Sequence, residues 1–429
     1  MTIGADWVGP LPAGWSVLPL KSVVTYNTET LPESTDPEWQ FDYVEISDVS
    51  AYKGIIGRST VRFGEAPSRA RRIARRGDVL VSTVRTYLRA VAPVEADSRL
   101  IVSTGFAVLR PTKFVNESFL KYLCLSEPFL ASTIARSTGV SYPAINASDL
   151  VRTSVAVPPV ARQREIGGFL DQETAKIDAL IAKQEQLIAT LREDRTATIT
   201  YAVTQGLDAE VAMKDSGVDW LDCVPRHWQL VPIKHVVRSV GVGLVINPST
   251  YVTDSGVPFL LGRNVRDGWL DLSNVNYMSE EDSRRLKASR LNPGDVVVVR
   301  AGYPGRAAVI PPELDGANCA SILILRQPTL ALPEFITAFF NSLLGRSQVK
   351  LAQYGAAQEQ INVGDVVDFL MPVPPLAEQQ EIIDQIAARA TAIDSLIAKA
   401  VEVIDTLHEY RAALITDAVT GKIDVRGAA

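Results

Sequence analysis

Residues 155–166 read VAVPPVARQREI, and residues 371–382 read MPVPPLAEQQEI. The two stretches lie 216 positions apart, and the match continues beyond both. AKIDALIAKQEQLIATL (175–191) is answered by TAIDSLIAKAVEVIDTL (391–407), and ATITYAVTQGLD (197–208) by ALITDAVTGKID (413–424). About half the positions in this window are identical, which marks an internal duplication. After Pro158-Pro159, Ile166, Leu170, Glu173, Ile177, Leu180, Gln184, Leu187 and Leu191 alternate spacings of four and three. After Pro374-Pro375 the same pattern falls on Ile382, Ile386, Arg389, Ile393, Leu396, Ala400, Val403 and Leu407. That spacing predicts two long helices with a heptad seam, as in a coiled coil. Proline is tolerated in a first helical turn but not inside a helix, so each Pro-Pro pair sets a start. Gly206 and Gly421 mark the ends. A helix from Pro159 to Thr204 would be about 65–70 Å long at ~1.5 Å per residue. Ile181, Ile188, Ile397 and Ile404 widen the apolar stripes and leave room for a further partner.

The duplication reaches back to the start of each half. DWVGPLPAGWSVLPLK (6–21) returns as DWLDCVPRHWQLVPIK (219–234), with Trp7, Pro12, Trp15, Pro19 and Lys21 matched by Trp220, Pro225, Trp228, Pro232 and Lys234. In between the halves diverge, yet landmarks persist. RRGDVLVSTVR (75–85) resembles NPGDVVVVRAG (292–302), AVLRP (107–111) resembles LILRQ (323–327), and STGVSYPAINASDL (137–150) resembles QYGAAQEQINVGDV (353–366). The GDV stretches read as a turn and a strand. Residues 115–135 and 332–352 read as helices with an acid near each start. The chain therefore divides into a mixed α/β (α+β) globular region (1–158), a helical segment (159–208), a second globular region (209–373) and a second helical segment (374–429). Two long repeats imply a pseudo-twofold pair of domains, not a solenoid.

At 429 residues two or more domains are expected, and 47% hydrophobic with 21% charged residues is ordinary for a soluble globular protein. No apolar run reaches the ~18 residues that span a membrane. The first residues do not read as a signal peptide, and Cys124, Cys223 and Cys319 are scattered, so a reducing cytoplasmic setting is expected. The net charge of −6 argues weakly against nucleic acid, but it is unevenly placed. The four segments carry +2, −2, −2 and −4, so the helices hold the whole deficit. GRSTVRFGEAPSRARRIARR (57–76) concentrates Arg58, Arg62, Arg69, Arg71, Arg72, Arg75 and Arg76 against Glu65 alone. Such a run is either a solvated loop or a set of cations for a polyanion. SRRLKASR (283–290) is its weaker counterpart.

Enzymatic signatures are missing. There is no Gly-x-x-x-x-Gly-Lys-Ser/Thr phosphate loop, GVGLVI (241–246) lacks the third glycine of a dinucleotide fingerprint, and His227, His235 and His408 have no metal-ligand spacing. A binding and scaffolding protein fits better than a catalyst.

The order of these parts resembles the specificity (S) subunit of type I restriction–modification enzymes. The twin W…P..W…P.K openings, the GDV strands, the twin AVPPVARQREI and PVPPLAEQQEI entries and the terminal DAVTGKIDVRG carry the likeness, over essentially the whole chain. It departs in having VTQGLD in the first copy where the second has VTGKID, and Arg162 where the second has Glu378. The resemblance implies two target-recognition domains separated by two long helices that form an antiparallel coiled coil. Each domain reads one half of a bipartite, asymmetric site in double-stranded DNA. Two methyltransferase (M) subunits dock on the chain, and restriction/motor (R) subunits join for cleavage. The complex would use S-adenosylmethionine, with ATP and Mg²⁺ for restriction; none of these is expected to bind this chain, which is read as non-catalytic, with no metal and no membrane. The rivals are a stand-alone nuclease, which cleavage by the purified chain with Mg²⁺ would revive, and a structural coiled-coil adaptor without DNA recognition.

Candidate DNA-binding residues are Arg58, Arg62, Arg69, Arg71 and Arg72 from the arginine run; Arg85, Tyr87 and Arg89 after the first GDV strand; Arg300, Tyr303 and Arg306 after the second; and Ser141, Tyr142, Gln358 and Gln360 in a second pair of loops. Arginine forks onto guanine and glutamine onto adenine in the major groove. Helix pairing is assigned to Ile166, Leu170, Ile177, Leu180, Leu187, Leu191, Ile382, Ile386, Ile393, Leu396, Val403 and Leu407. Glu173 and Arg389 hold equivalent seam positions, so they would meet in a parallel pair and lie apart in the antiparallel one favoured here. If rod length sets half-site spacing, four residues inserted within 192–204 add about 6 Å. That is close to two base pairs at ~3.4 Å each. Methylation sequencing should then show a wider spacer and unchanged half-sites; an unaltered spacer would refute the idea.

Overall fold

The computed structural model describes residues 11–95, 100–218, 220–245, 247–353 and 359–426. Two compact units emerge: Met1–Glu185 with Val401–Ala429, and Gln186–Ala400. Both predicted long helices form, Val160–Gln205 and Leu376–Val419, and each contributes one part to each unit.

In the first unit a mixed sheet orders Ser59–Arg62, Gln40–Val44, Leu100–Ser103 and Ala70–Ala74, the middle two strands being parallel. A second, antiparallel sheet orders Val24–Tyr26, Phe106–Pro111, Val79–Ser82 and Val91–Pro93. The GDV strand explains its unbroken apolar run. Side chains alternate faces along a strand. Val79 and Val81 therefore face the helices, where Phe119, Leu120, Ile166 and Leu170 pack, while Leu80 faces Val44, Leu100 and Val102. The strand is buried on both faces, so it carries no polar alternation.

The second unit repeats this scheme. Val237–Val242, Ile322–Pro328, Val296–Val299 and Ala307–Val309 form one sheet, and Asn276–Met278, Val257–Leu261 and Asn318–Ala320 another. Val296 and Val298 meet the helical core, while Val297 and Val299 meet Leu260, Ile310 and Ile324. Cys124 and Cys319 are buried, and burial pushes the Cys319 thiol up to about 12.

Each region read as one helical stretch is broken by a serine. The first gives Glu117–Leu125 and Glu127–Ala135, interrupted at Ser126; the second gives Pro333–Asn341 and Leu343–Ala352, interrupted at Ser342. Both serine hydroxyls donate back into the preceding turn, to Leu123 O at 2.7 Å and Phe339 O at 2.6 Å. A side chain that competes for backbone groups in this way favours a break.

The doubled openings are entry clamps. Ser16–Pro19 pairs antiparallel with Ser154–Val157, and Gln229–Pro232 with Leu370–Val373, the strands that lead into the long helices. Gly206 and Gly421, both left-handed (φ +76° and +75°), end the helices as predicted. A Cβ on Gly206 would stand 3.3 Å from the Trp228 ring, and one on Gly421 3.2 Å from Trp15. The two repeated tryptophans thus close over the two helix ends. Trp7 lies outside the described residues.

A buried glutamine seats each helix start. Gln163 accepts from Asn116 N (2.7 Å) and donates to Phe114 O (3.1 Å) and Pro158 O (2.8 Å). Gln379 accepts from Leu332 N (2.7 Å) and donates to Leu330 O (3.1 Å) and Pro374 O (2.8 Å). Both are fully buried. These are the same three bonds, repeated 216 residues on.

The helices pair antiparallel within each unit. In the first unit Arg411 meets Asp178 at 3.2 Å; in the second, Arg195 meets Asp394 at 2.7 Å and Arg389 meets Asp194 at 2.8 Å. Glu173 is occupied by Lys176 at 2.6 Å. The buried stripe departs from a strict heptad. Of the pairing residues named above, Ile166, Leu170, Ile177, Ile382 and Ile393 are buried, and Leu191, Ile386 and Leu407 are half-buried. Leu180, Leu187, Leu396 and Val403 are exposed, at 42–49%. Ile181 is buried in place of Leu180. Among the covered positions one continuous stripe runs 166, 170, 174, 177, 181, 184, 188, 191, 195, 199 and 202, and again at 382, 386, 390, 393, 397, 400, 404, 407, 411, 415 and 418. Ten steps cover 36 residues in both, a mean spacing of 3.6 that takes in both the helix pair and the domain cores at its ends.

Candidate nucleic-acid interface

In each unit the fold brings the same two loops together. After the first GDV strand, Val84 bridges to Ala144, and Ile145 N donates to Thr83 O at 2.9 Å. After the second, Ala301 bridges to Gln360, and Ile361 N donates to Arg300 O at 3.1 Å. The paired candidate loops are therefore neighbours, as the sequence could not say.

The side chains on this shared backbone differ. In the first unit Arg85 sits in the left-handed region (φ +50°) with its guanidinium over the Tyr142 ring, 4.8 Å from the centroid. Tyr87, Leu88, Val140 and Tyr142 are exposed, at 44% or more, and Ser141 is exposed beside them. The position equivalent to Arg85 in the second unit is Gly302, again left-handed (φ +89°). There Tyr303 is 64% exposed and carries the Arg306 guanidinium, 4.3 Å from its ring centre. Arg300 turns inward and donates from Nε to Ile361 O at 3.2 Å. Gln360 is half-buried, and Gln358 lies outside the described residues.

Some candidates already hold partners within the unit. Arg89 forks onto Glu127 at 2.7 and 2.9 Å. Arg72 is half-buried and donates to Asn27 Oδ1 at 2.9 Å and to Phe106 O; burial lowers its basicity. It therefore serves as a structural tie. The arginine run is less cationic than its sequence count. Arg58, Arg62, Arg69 and Arg75 face Asp42, Glu38, Glu45 and Glu29, and Arg71 lies over Phe63. Such exposed pairs are worth about 0–1 kcal/mol, so Arg58, Arg62 and Arg69 can exchange a carboxylate for a phosphate at little cost. Arg69 lies near the first reading loops: Thr104 N donates to Arg69 O, and Thr83 binds the next residue, Gly105.

The sequence reading missed a buried ion pair behind each loop. The aspartate of GDV meets the arginine of the LRP or LRQ landmark. Asp78 accepts from Arg110 Nε and Nη2, both at 2.8 Å, and Asp295 accepts from Arg326 Nη1 at 3.0 Å. Both aspartate side chains are 2% exposed. The recurrence of both residues in the two halves was the available signal.

Residues 12–189 match the type I restriction modification DNA specificity domain. The match takes in the first globular region and much of the first long helix. Its relatives include the type I restriction enzyme EcoBI specificity subunit of Escherichia coli, 23% identical over 66% of this chain and 61% of that one. The EcoKI specificity subunit of Escherichia coli K12 is 24% identical over 70% of this chain and 65% of that one. The match thus spans a little under two thirds of the length of each. A chain solved in work on complex assembly and conformational transition of the type I R-M system has a similar fold, with a TM-score of 0.63 at 24% identity, over 96% of this chain and all of that one. The chain itself has two units that share a frame and differ in their exposed loops. No helix among the described residues is long and apolar enough to cross a membrane.

Proposed function

We propose that this chain is the DNA sequence-specificity subunit of a type I restriction–modification complex. It reads a bipartite, asymmetric duplex site, one half with each unit, and has no chemistry of its own. One observation carries the reading: equivalent loops are held side by side on equivalent backbone yet expose unlike side chains, Arg85 and Tyr142 against Tyr303 and Arg306. Unlike half-sites require unlike readers on a common frame. Matched helices suit like partners, so two methyltransferase subunits dock on them, and restriction subunits join for cleavage. S-adenosylmethionine, ATP and Mg²⁺ act on those subunits, and the complex works in the cytoplasm.

Methylome sequencing of a host expressing this chain with its methyltransferase should return one bipartite motif. Arg85→Ala with Tyr142→Ala should then lower methylation about 10–100-fold or relax it at one half only, since each good base contact is worth about 1–3 kcal/mol. Degeneracy at the other half, or at neither, would count against these readers. Tyr303→Ala should affect the opposite half.

A further inference from the structure

The second unit holds an arginine-lined cavity that its counterpart lacks. The cavity is about 500 Å³, and Arg192, Arg195, Arg266, Arg306 and Arg346 converge on it with Trp269 at its edge. The acids facing these groups are few. Asp267 is shared by Arg346 (3.1 Å) and Arg306 (3.8 Å), Asp394 holds Arg195, and Asp271 holds Arg266 at 2.9 Å. Hydrogen bonds from Ser273 and Arg266 push the Asp271 carboxyl down to about 2, so it stays charged. Five cations against three anions leave an excess of two positive charges. Among the described residues Arg192 makes no ion pair, and it is exposed. Trp269 is 55% exposed and offers an aromatic face.

The equivalent cavity of the first unit is a control built into the chain. It is about 370 Å³ and is lined by Asp178, Ile181, His408 and Arg411, which correspond to Asp394, Ile397, Arg192 and Arg195. There Lys53, Lys121 and Arg411 face Glu95, Asp178 and Glu185, and Asp171 holds Lys121 at 2.9 Å. Lys53 also pairs with Glu185 at 2.7 Å. The same frame has no cationic excess in one unit and is cationic in the other.

We propose that the cavity of the second unit binds a nucleoside di- or triphosphate, with the phosphates on the arginines and the base on Trp269. Planar guanidinium forks match phosphate oxygens two at a time. A concave site of a few hundred cubic ångströms suits a discrete ligand better than a duplex backbone. The proposal goes beyond the DNA-reading assignment and rests on different residues, Arg306 excepted.

Calorimetric titration of the full chain with ADP and ATP in Mg²⁺-free buffer tests it, with duplex DNA and inorganic phosphate as separate arms. Nucleotide binding at about 10–100 µM is expected. Arg192→Glu should weaken it at least tenfold, and Trp269→Ala should weaken nucleotide but not inorganic phosphate. Lys53→Ala in the first unit should change nothing. Absence of nucleotide binding below about 1 mM would overturn the proposal. So would equal affinity of Arg192→Glu, or phosphate binding as tight as nucleotide. A loss confined to duplex DNA in Arg192→Glu would also overturn it and assign the arginines to the nucleic-acid backbone. Because Arg192 and Trp269 are exposed and outside the reading loops, these results leave the methylome test of the loops unaffected.

Discussion

Asp295→Ala should destabilise the second unit by about 3–5 kcal/mol, because removing one partner of a buried ion pair strands the other. Arg326 would keep only neutral acceptors, Ala288 O at 2.9 Å and Arg290 O at 2.8 Å, and Asn292 N would lose its carboxylate partner. The matching change, Asp78→Ala, should cost less. Arg110 also pairs with Glu29 at 2.5 Å, so a second carboxylate remains. That reserve depends on pH. Hydrogen bonds from Arg110 and then Arg75 hold the Glu29 carboxyl below its ordinary value. Its support is therefore complete above the usual carboxylate range, about pH 4–5, and is lost as the pH falls through the lowered folded-state value. Asp78→Ala should accordingly be more acid-sensitive than the native chain. Hydrogen exchange resolved by peptide would locate each loss in its own unit. A cost under about 1 kcal/mol for Asp295→Ala, or a larger one for Asp78→Ala, would contradict this account.

Trp228→Ala should be comparably damaging, at about 3–5 kcal/mol, the usual range for emptying a large aromatic site. Trp228 is fully buried, its Nε1 donates to Glu378 Oε1 at 3.0 Å, and it closes over Gly206. Glu378 is one of the places where the two copies differ. It also meets His227 Nε2 at 2.7 Å, whereas Arg162 in the other copy pairs with Asp424 at 2.6 Å and Glu165 at 2.7 Å. Trp15 is only half-buried, so Trp15→Ala should cost clearly less than Trp228→Ala. Chemical denaturation of the two variants would decide; equal costs would mean that the Glu378 contact and the deeper burial contribute little.

The long helices, their Pro-Pro starts and their glycine ends were legible because duplication repeats every signal. The seam was legible only to within one residue. Leu180 and Ile181, Leu187 and Ile188, and their counterparts offered two apolar positions side by side. A straight helix drifts about 20° per heptad from a 3.5 repeat, and over several heptads that drift selects Ile181 over Leu180. The stretch chosen for lengthening the rod, 192–204, proves in part unsuitable, since Ala202 and Val203 belong to the core of the second unit. Within 192–198 an insertion would also shift Asp194 and Arg195 from Arg389 and Asp394. The arginine run could not be valued from its own sequence, because its carboxylates come from Glu29, Glu38, Asp42 and Glu45, well upstream. Nor could the stacking of Arg85 on Tyr142 be read, with 56 residues between them. The composite loop surface needed the fold.

Gln163 and Gln379 grip only main-chain groups of the domains they join. Main-chain groups are common to nearly all residues, so such a joint is indifferent to most of the sequence beyond it. A foreign domain that brings its backbone to the same place, with strands equivalent to Ser16–Pro19 and Ser154–Val157, would meet the same main-chain bonds, while the contacts of Ser118, Lys121 and Tyr122 with Asp171 would have to be kept or replaced. The molecule is in that sense a chassis with two standard couplings, each fixed by main-chain bonds and trimmed by the side chains around it.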